Sequence, residues 1–276
     1  MGKSTGQEQV LERIHEALEE AERAIAPYIS GDVKVEFKSG DDPVTEADRA
    51  SNRVLHEILV RAGDGWLSEE SVEDFSRLEK ERVWIVDPLD GTREFAARIP
   101  EWCISVALIE NGCAIAGGIR NPATGETFLG SLEGGLTYNG TPVCCTRRNS
   151  LGGATVLASR TEVKRGEWKQ FEDERFAVKP MGSVAYKLAL VAAGIADATW
   201  TLCPKHEWDV AAGVALIKAA GGSAARLDKT PLMFNNRNCL LPNLMAGGAG
   251  IAQELSSLLR QNTSSIHPAN ITEASV

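Results

Sequence analysis

Val10, Ile14, Leu18, Ala21 and Ile25 recur at helical spacing along Gln9–Tyr28, with Glu and Arg between them. That pattern predicts an amphipathic helix with one face on a core, ended by Pro27 and Gly31. Val33 to Lys38 alternates and predicts a strand, with Lys38 at its end a candidate for contact with an anion. A second helix is predicted after Asp41-Asp42-Pro43, running to Ala62; Thr45 and Asp48 have capping-box spacing, with Asp in place of the usual Glu or Gln. Glu73 to Arg82 is charged and reads as a surface connection. Val83-Trp84-Ile85-Val86 predicts a buried strand. Pro88, which cannot donate to a ladder, predicts its end, and Asp87 and Asp90 bracket that end with Gly91-Thr92 behind.

Cys103–Ile109 and Ala114–Ile119 read as strands joined at Asn111-Gly112, a hairpin signal. Gly125–Gly130 and Gly135–Gly140 read as further antiparallel strands, so the first half is α+β. The polar, glycine-bearing stretch Thr146–Gly153 divides the chain. This predicts an N-terminal domain over 1–150, a C-terminal domain over 151–262 and a disordered polar tail over 263–276. Beyond the division, strands are predicted at Ala154–Ala158, Ala177–Lys179 and Ala196–Leu202. Helices are predicted from Glu162 to Phe171, from the opening Met181-Gly182-Ser183 through Ala193, from Trp208-Asp209 to Ala220, and at Gln253–Arg260. The alternation makes the second half α/β.

The 276 residues carry a formal net charge of -9, from 38 acidic against 29 basic side chains. That balance argues against nonspecific binding of nucleic acid or an anionic membrane. The six cysteines form no C-x-x-C pair, which removes zinc-knuckle and thioredoxin-like readings and leaves mostly structural, reduced thiols of a cytoplasmic protein. With no apolar signal core at the N-terminus and no apolar run of spanning length, stable membrane insertion is not expected.

Four acidic elements stand out: Asp48, Glu69-Glu70, Asp87 with Asp90, and Asp209. Each has an ordinary alternative. Asp48 and Asp209 suit helix caps, Glu69-Glu70 a solvated turn, and Asp87 and Asp90 a turn after a strand. Converging carboxylates, however, must be neutralised, and a bound cation does so. With oxygen ligands and no His or Cys among them, Mg²⁺ or Mn²⁺ is favoured over zinc. Gly91-Thr92 and Gly182-Ser183 open helices whose free N–H groups suit a phosphate. Divalent cations beside phosphate point to phosphoryl transfer to water.

The segments Asp42-Pro43-Val44-Thr45-Glu46-Ala47-Asp48, Ser68-Glu69-Glu70-Ser71, Trp84 through Thr92, Gly182-Ser183-Val184-Ala185 and Trp208-Asp209-Val210-Ala211-Ala212-Gly213 together resemble the inositol monophosphatase superfamily of lithium-sensitive, magnesium-dependent phosphatases. The resemblance runs from Gln9 to Arg260. Asp90-Gly91-Thr92-Arg93-Glu94-Phe95 and Glu207-Trp208-Asp209 resemble the 3'(2'),5'-bisphosphate nucleotidase (CysQ-type) branch. No acid lies in Thr199–Cys203, where inositol phosphatases usually hold a Glu for inositol hydroxyls.

The resemblance implies a layered αβαβα sandwich with the site between its two domains, and a homodimer. It implies two or three Mg²⁺ ions, Mn²⁺ being possible, held by Glu69, Asp87, Asp90, Asp209 and the carbonyl of Leu89. Thr92 paired with Asp48 would orient and deprotonate the attacking water, and Glu70 would hold metal-bound water. Gly91, Thr92 and the Gly182-Ser183 helix start would hold phosphate, and Lys205 and His206 could meet a nucleotide. The expected activity is release of the 3'-phosphate of 3'-phosphoadenosine 5'-phosphate. The alternatives are hydrolysis of inositol-1-phosphate or other sugar phosphates, and an inactive nucleotide- or metal-binding relative.

Overall fold

A computed structural model of the protein describes residues 6–29, 35–37, 43–172 and 174–263. Lys38, Asp41-Asp42 and the tail beyond Thr263 lie outside the described residues. Helix α1 (Gly6–Ile29) buries Val10, Ile14, Leu18, Ala21 and Ile25, the stripe that the sequence pattern picks out. The short strands β1 (Val35–Phe37) and β2 (Pro43–Thr45) pair antiparallel and lead into α2 (Glu46–Leu59). Strands β3 (Gly65–Ser68), β4 (Arg82–Asp90), β5 (Cys103–Glu110), β6 (Cys113–Asn121), β7 (Glu126–Ser131), β8 (Gly135–Tyr138) and β9 (Thr141–Val143) form one seven-stranded sheet in chain order. β3 and β4 are parallel and every later pair is antiparallel. The short helix α3 (Thr92–Ala96) follows β4.

A five-stranded mixed sheet follows, with β10 (Thr155–Ser159) parallel to both β11 (Ala177–Met181) and β12 (Ala198–Thr201). Between them come α4 (Arg160–Lys164) and α5 (Val184–Ala192). The two-residue β13 (Lys205–His206) leads into α6 (Glu207–Ala219) and pairs with β15 (Leu240–Leu241). β14 (Gly222–Ala225) and β12 both pair antiparallel with β16 (Leu244–Gly248), and α7 (Ala252–Thr263) closes the described chain.

Three apolar clusters fill the spaces between layers. α1 and α2 cover one face of the large sheet, burying Trp84, Val86, Ile104, Val106 and Leu108. The opposite face, with Ile85, Ala107 and Ile119, packs on α5 and α6, which also carry Leu157, Leu244 and Ala246 of the smaller sheet. Val156, Ala158, Ala198 and Trp200 face outward onto Trp168, Phe171, Leu255 and Leu259. The order is therefore helix, sheet, helix, sheet, helix, the layered sandwich that the resemblance implies. Strands buried on both faces explain why β4 and β5 read as near-continuous apolar runs.

Several elements differ from the sequence reading. β4 does not end at Pro88 but continues to Asp90, and its pairing with β5 shifts register between Asp87 and Asp90. The proline therefore sits where the ladder lapses and no donor is missed. Glu73–Arg82 is not wholly a surface connection, since Arg77 is 1% exposed. Its guanidinium is held by Glu73, Asn235, the carbonyl of Asn236 and Cys239. The helix expected over Glu162–Phe171 splits at Gly166, at φ +80°, into α4 and a 3₁₀ turn. Strands β14 to β16 carry too little alternation to be predicted. All six cysteines are free thiols; Cys103 and Cys145 are buried, whereas Cys113 and Cys144 are exposed.

Candidate active site

Parallel strands bring their carboxyl ends to one edge, and in α/β layers that edge is where ligands bind. β3 and β4 end at Ser68 and Asp90, and β10, β11 and β12 end at Ser159, Met181 and Thr201. A cleft of about 300 Å³ opens at these ends. Glu69, Asp87, Leu89, Asp90, Gly91, Thr92, Gly182, Ser183, Lys205 and Asp209 all line it. Of the remaining candidates, Asp48 reaches it through Thr92, and Glu70 follows Glu69 on the loop after β3.

Asp48 is buried and serves two partners with two oxygens. Its Oδ2 accepts from the Thr45 N–H at 2.7 Å and the Thr45 hydroxyl at 2.5 Å, completing the capping box of α2. Its Oδ1 accepts from the Thr92 hydroxyl at 3.3 Å. The structural and the chemical reading of Asp48 are thus compatible. The same Thr92 hydroxyl lies 3.2 Å from the Leu89 carbonyl oxygen. Burial pushes Asp48 up to about 6, with a smaller push from Glu70, against hydrogen bonds from Thr45.

Asp87, Asp90 and Asp209 are all raised above the ordinary carboxylate range, first by burial. Asp87 is raised further by Glu69, Asp90 and Asp209, and Asp209 by Asp90 and Glu69. Each is held by protein donors: Asp87 Oδ1 accepts from the Leu89 N–H at 3.0 Å, and Asp209 Oδ2 from the His206 N–H at 2.9 Å. His206, not Asp209, is therefore the N-cap of α6, and Asp209 stands three residues inside it. Asp90 Oδ2 accepts from the Ser183 hydroxyl and the Ala185 N–H, both at 2.6 Å, so it closes the start of α5. Four mutually repelling, partly desolvated carboxylates around a water-accessible cleft fit a hard divalent cation, which their oxygen-only chemistry favours.

Glycine is required at two points. Gly91 has φ +97° where β4 turns into α3. A Cβ on Gly182 would lie 2.5 Å from the Glu94 carboxyl carbon, so that side chain can pack on the turn only because residue 182 has none. Ser183 adopts φ +50° without being glycine, a conformation that costs roughly 1–3 kcal/mol and needs support from its surroundings. Asp90 supplies some, and Lys187 Nζ donates to the Ser183 carbonyl at 2.8 Å.

Lys187 was not singled out by sequence reasoning, although it is the lone charge in the apolar α5. Burial lowers it to about 8, against the pull of Asp90. Asn52, also unflagged, accepts from the Ser68 hydroxyl at 2.7 Å and donates to Ser71 Oγ at 3.2 Å, clamping the loop that carries Glu69 and Glu70. Trp66 donates to the same Ser71 oxygen at 3.0 Å. Lys205 Nζ lies 4.0 Å from Glu162 Oε1, and the His206 ring stacks on Trp208 at 4.4 Å and 6°.

Among the described residues, donor atoms of Glu162, Glu167 and Cys203 also lie within 4.8 Å of one another. Arg165 and Lys205 pair with those glutamates, and burial raises the Cys203 thiol. Ion pairs account for that group.

The raised aspartates set a test of metal dependence. Folded-state values above the unfolded ones mean the folded chain binds more protons from about pH 4 upward, so metal-free stability falls as pH rises through the raised values. Magnesium binds the ionised form and opposes that loss. Millimolar Mg²⁺ should therefore raise Tm more at about pH 8 than at about pH 5.5. An Mg²⁺ shift that is equal, or larger at the lower pH, would remove these carboxylates as the binding group.

A layered sandwich with a carboxylate-lined cleft at the carboxyl ends of its strands is built to take a divalent cation. The sequence profile of the Inositol monophosphatase family matches residues 6–262, and the chain belongs to that family, whose members are metal-dependent phosphatases. An inositol-1-monophosphatase of Rhizobium meliloti is 35% identical over 199 residues, covering 69% of this chain and 74% of the relative. A 3'-phosphoadenosine 5'-phosphate phosphatase of Mycobacterium leprae is 33% identical over 225 residues, covering 78% and 81%. The crystal structure of CysQ from Bacteroides thetaiotaomicron superposes with a TM-score of 0.74 at 26% identity, covering 87% of this chain and 97% of that one. Among the described residues, no helix is long and apolar enough to cross a membrane.

Proposed function

We propose that this chain is a magnesium-dependent phosphatase that hydrolyses the 3'-phosphate of 3'-phosphoadenosine 5'-phosphate, giving AMP and phosphate. The observation that carries this reading is the mixed lining of the cleft. Glu69, Asp87, Asp90 and Asp209 line it together with Arg160, Lys205 and the stacked rings of His206 and Trp208. The acids suit cations. Basic and aromatic groups beside them suit a base and a second phosphate better than a neutral polyol. The absence of an acid in Thr199–Cys203 agrees, since Thr199 spends its hydroxyl on the Leu157 carbonyl at 2.8 Å.

Glu69, Asp87, Asp90, Asp209 and the Leu89 carbonyl would hold two or three Mg²⁺ ions. Bound there, they supply positive charge that acidifies water and neutralises developing charge on phosphate oxygens. Thr92 receives the proton of the attacking water as its own hydroxyl proton passes to Asp48. Glu70 orients a second water, and Gly91, Thr92, Gly182 and Ser183 shape the phosphate seat. The proposed partners are a phosphate ester and a second copy of the chain.

The R. meliloti relative favours inositol-1-phosphate as the second reading. Side-by-side kcat/KM for the two substrates with Mg²⁺ decides between them. The bisphosphate nucleotide should win by at least about tenfold, equivalent to about 1.4 kcal/mol of transition-state binding. A preference for inositol-1-phosphate would overturn the nucleotide assignment.

A further inference from the structure

The connection after Glu69-Glu70 and the first turn of α6 are tied together by a buried polar network that no step of hydrolysis uses. On one side stands Arg77. Its Nε donates to Glu73 Oε2 at 2.6 Å, its Nη1 to Asn235 Oδ1 at 2.6 Å and its Nη2 to the Asn236 carbonyl at 3.0 Å. Asn235 returns a bond, its Nδ2 donating to the Arg77 carbonyl at 3.1 Å. On the other side stands Glu207, the first residue of α6 and fully buried. Its Oε2 accepts the Asn235 N–H at 2.7 Å. Its Oε1 accepts the Asn236 N–H at 2.9 Å and the Asn236 side-chain amide at 2.7 Å. Asn235-Asn236 is thus a strut between Arg77 and Glu207.

Each end of the strut leads to a carboxylate of the cleft. Glu207 and Asp209 share the first turn of α6. Arg77 closes the connection that carries Glu69, and Asn52 and Trp66 hold that connection at its other end through Ser71. Glu69 and Asp209 line the same cleft, and their like charges repel until a cation lies between them. Something other than the cation must hold these two elements together beforehand. Stability alone is a poor account of the strut, because buried ionic groups are often replaceable by apolar side chains without loss. The segments it joins also carry strain. Phe75 has φ +62° and Asn235 φ +63°. For a bulky ring that conformation is an outlier that its surroundings must enforce, and Arg237 lies over the Phe75 ring at 4.6 Å.

We propose that Arg77, Asn235 and Glu207 are positioning residues that set the spacing between the Glu69 loop and the Asp209 turn before a divalent cation binds. They act on the cation through preorganisation, since ligands already in place lose less on binding. The inference rests on Glu69 and Asp209 as ligands of that cation, and not on which phosphate ester is hydrolysed.

The test measures Mn²⁺ binding to metal-free protein, from the loss of the free-ion EPR signal, in wild type, Asn235→Gly, Arg77→Lys and Arg120→Ala. Asn235→Gly keeps the backbone donor to Glu207 and the left-handed turn but loses both side-chain bonds to Arg77. Arg77→Lys keeps the charge without the fork. Arg120→Ala removes an ion pair to Glu22 of α1 and controls for lost stability. Asn235→Gly should raise the Mn²⁺ Kd by about tenfold or more, the usual scale for a group that orients a metal ligand, and Arg77→Lys should act in the same direction. Arg120→Ala should change it by less than about twofold. At saturating Mg²⁺ the kcat of Asn235→Gly should stay within about threefold of wild type on whichever ester wild type prefers, because every ligand is still present. The Kd does not depend on the folded fraction, so a variant that folds poorly still reports. An unchanged Kd in Asn235→Gly, or an equal rise in Arg120→Ala, overturns the proposal. A wild type that binds no Mn²⁺ removes the metal reading of the cleft, and this inference with it.

Discussion

Asp90→Asn should leave a folded protein whose turnover with Mg²⁺ falls by at least about 10³-fold, the scale on which a main electrostatic stabiliser of a transition state is lost. Asp90 stands at the end of β4 among Asp87, Asp209 and Glu69, and burial and these neighbours set the raised values of the group. Removing its charge weakens the hold on a divalent cation. The fold should tolerate the change, because an amide oxygen can still accept from Ser183 and Ala185. The metal-free variant should even gain stability, since it has one fewer buried like charge. A Tm at about pH 8 raised by about 2–4 °C would report about 1 kcal/mol in a chain of this size. Near-wild-type turnover at low Mg²⁺, or a large drop in metal-free Tm, would take Asp90 out of the metal group and make it only the closing cap of α5.

What the sequence made legible lies mostly at element ends. Asp48, Asp87, Asp90 and Asp209 each stand beside a Thr, Pro, Gly or Trp that marks a start or stop, and those local signals fix position without knowledge of the tertiary fold. The helix–sheet–helix–sheet–helix order was legible through the resemblance, and the periodicity alone gave its first half as helices then a hairpin-rich sheet. Of the basic residues lining the cleft, Lys205 was singled out through the resemblance, whereas Arg160 and Lys187 were not. Arg160 meets Glu101 across 59 residues, and Arg77 meets Asn235 across 158. Such contacts exist only once the two sheets share the α5–α6 layer, and no local pattern encodes them. Lys187 was visible as a lone charge in α5, but nothing in the spacing says that it caps three carbonyls. β13 and β15 are two residues each, below the length at which alternation can be read.

Thr92→Ala should separate proton transfer from metal binding. The Thr92 hydroxyl has one hydrogen and two acceptors, Asp48 Oδ1 at 3.3 Å and the Leu89 carbonyl at 3.2 Å. In the relay its hydrogen goes to Asp48 and its oxygen faces the attacking water. Removing the hydroxyl should lower kcat by roughly 10²–10⁴-fold, the usual contribution of general acid–base catalysis. The Mg²⁺ requirement should move little, because no carboxylate is lost. Asp48 must be ionised to accept the proton, and burial holds it up at about 6. The wild-type kcat should therefore fall as pH drops through about 6, since a raised carboxylate is protonated, and so inactive as a base, below its own value. In Thr92→Ala the residual rate should lose that acidic limb, because Asp48 no longer has a proton to accept through the hydroxyl. A variant with unchanged saturating kcat and a steeply raised Mg²⁺ requirement would contradict the relay. It would leave Thr92 as a turn residue that orients the Leu89 carbonyl, and Asp48 as the cap of α2 alone.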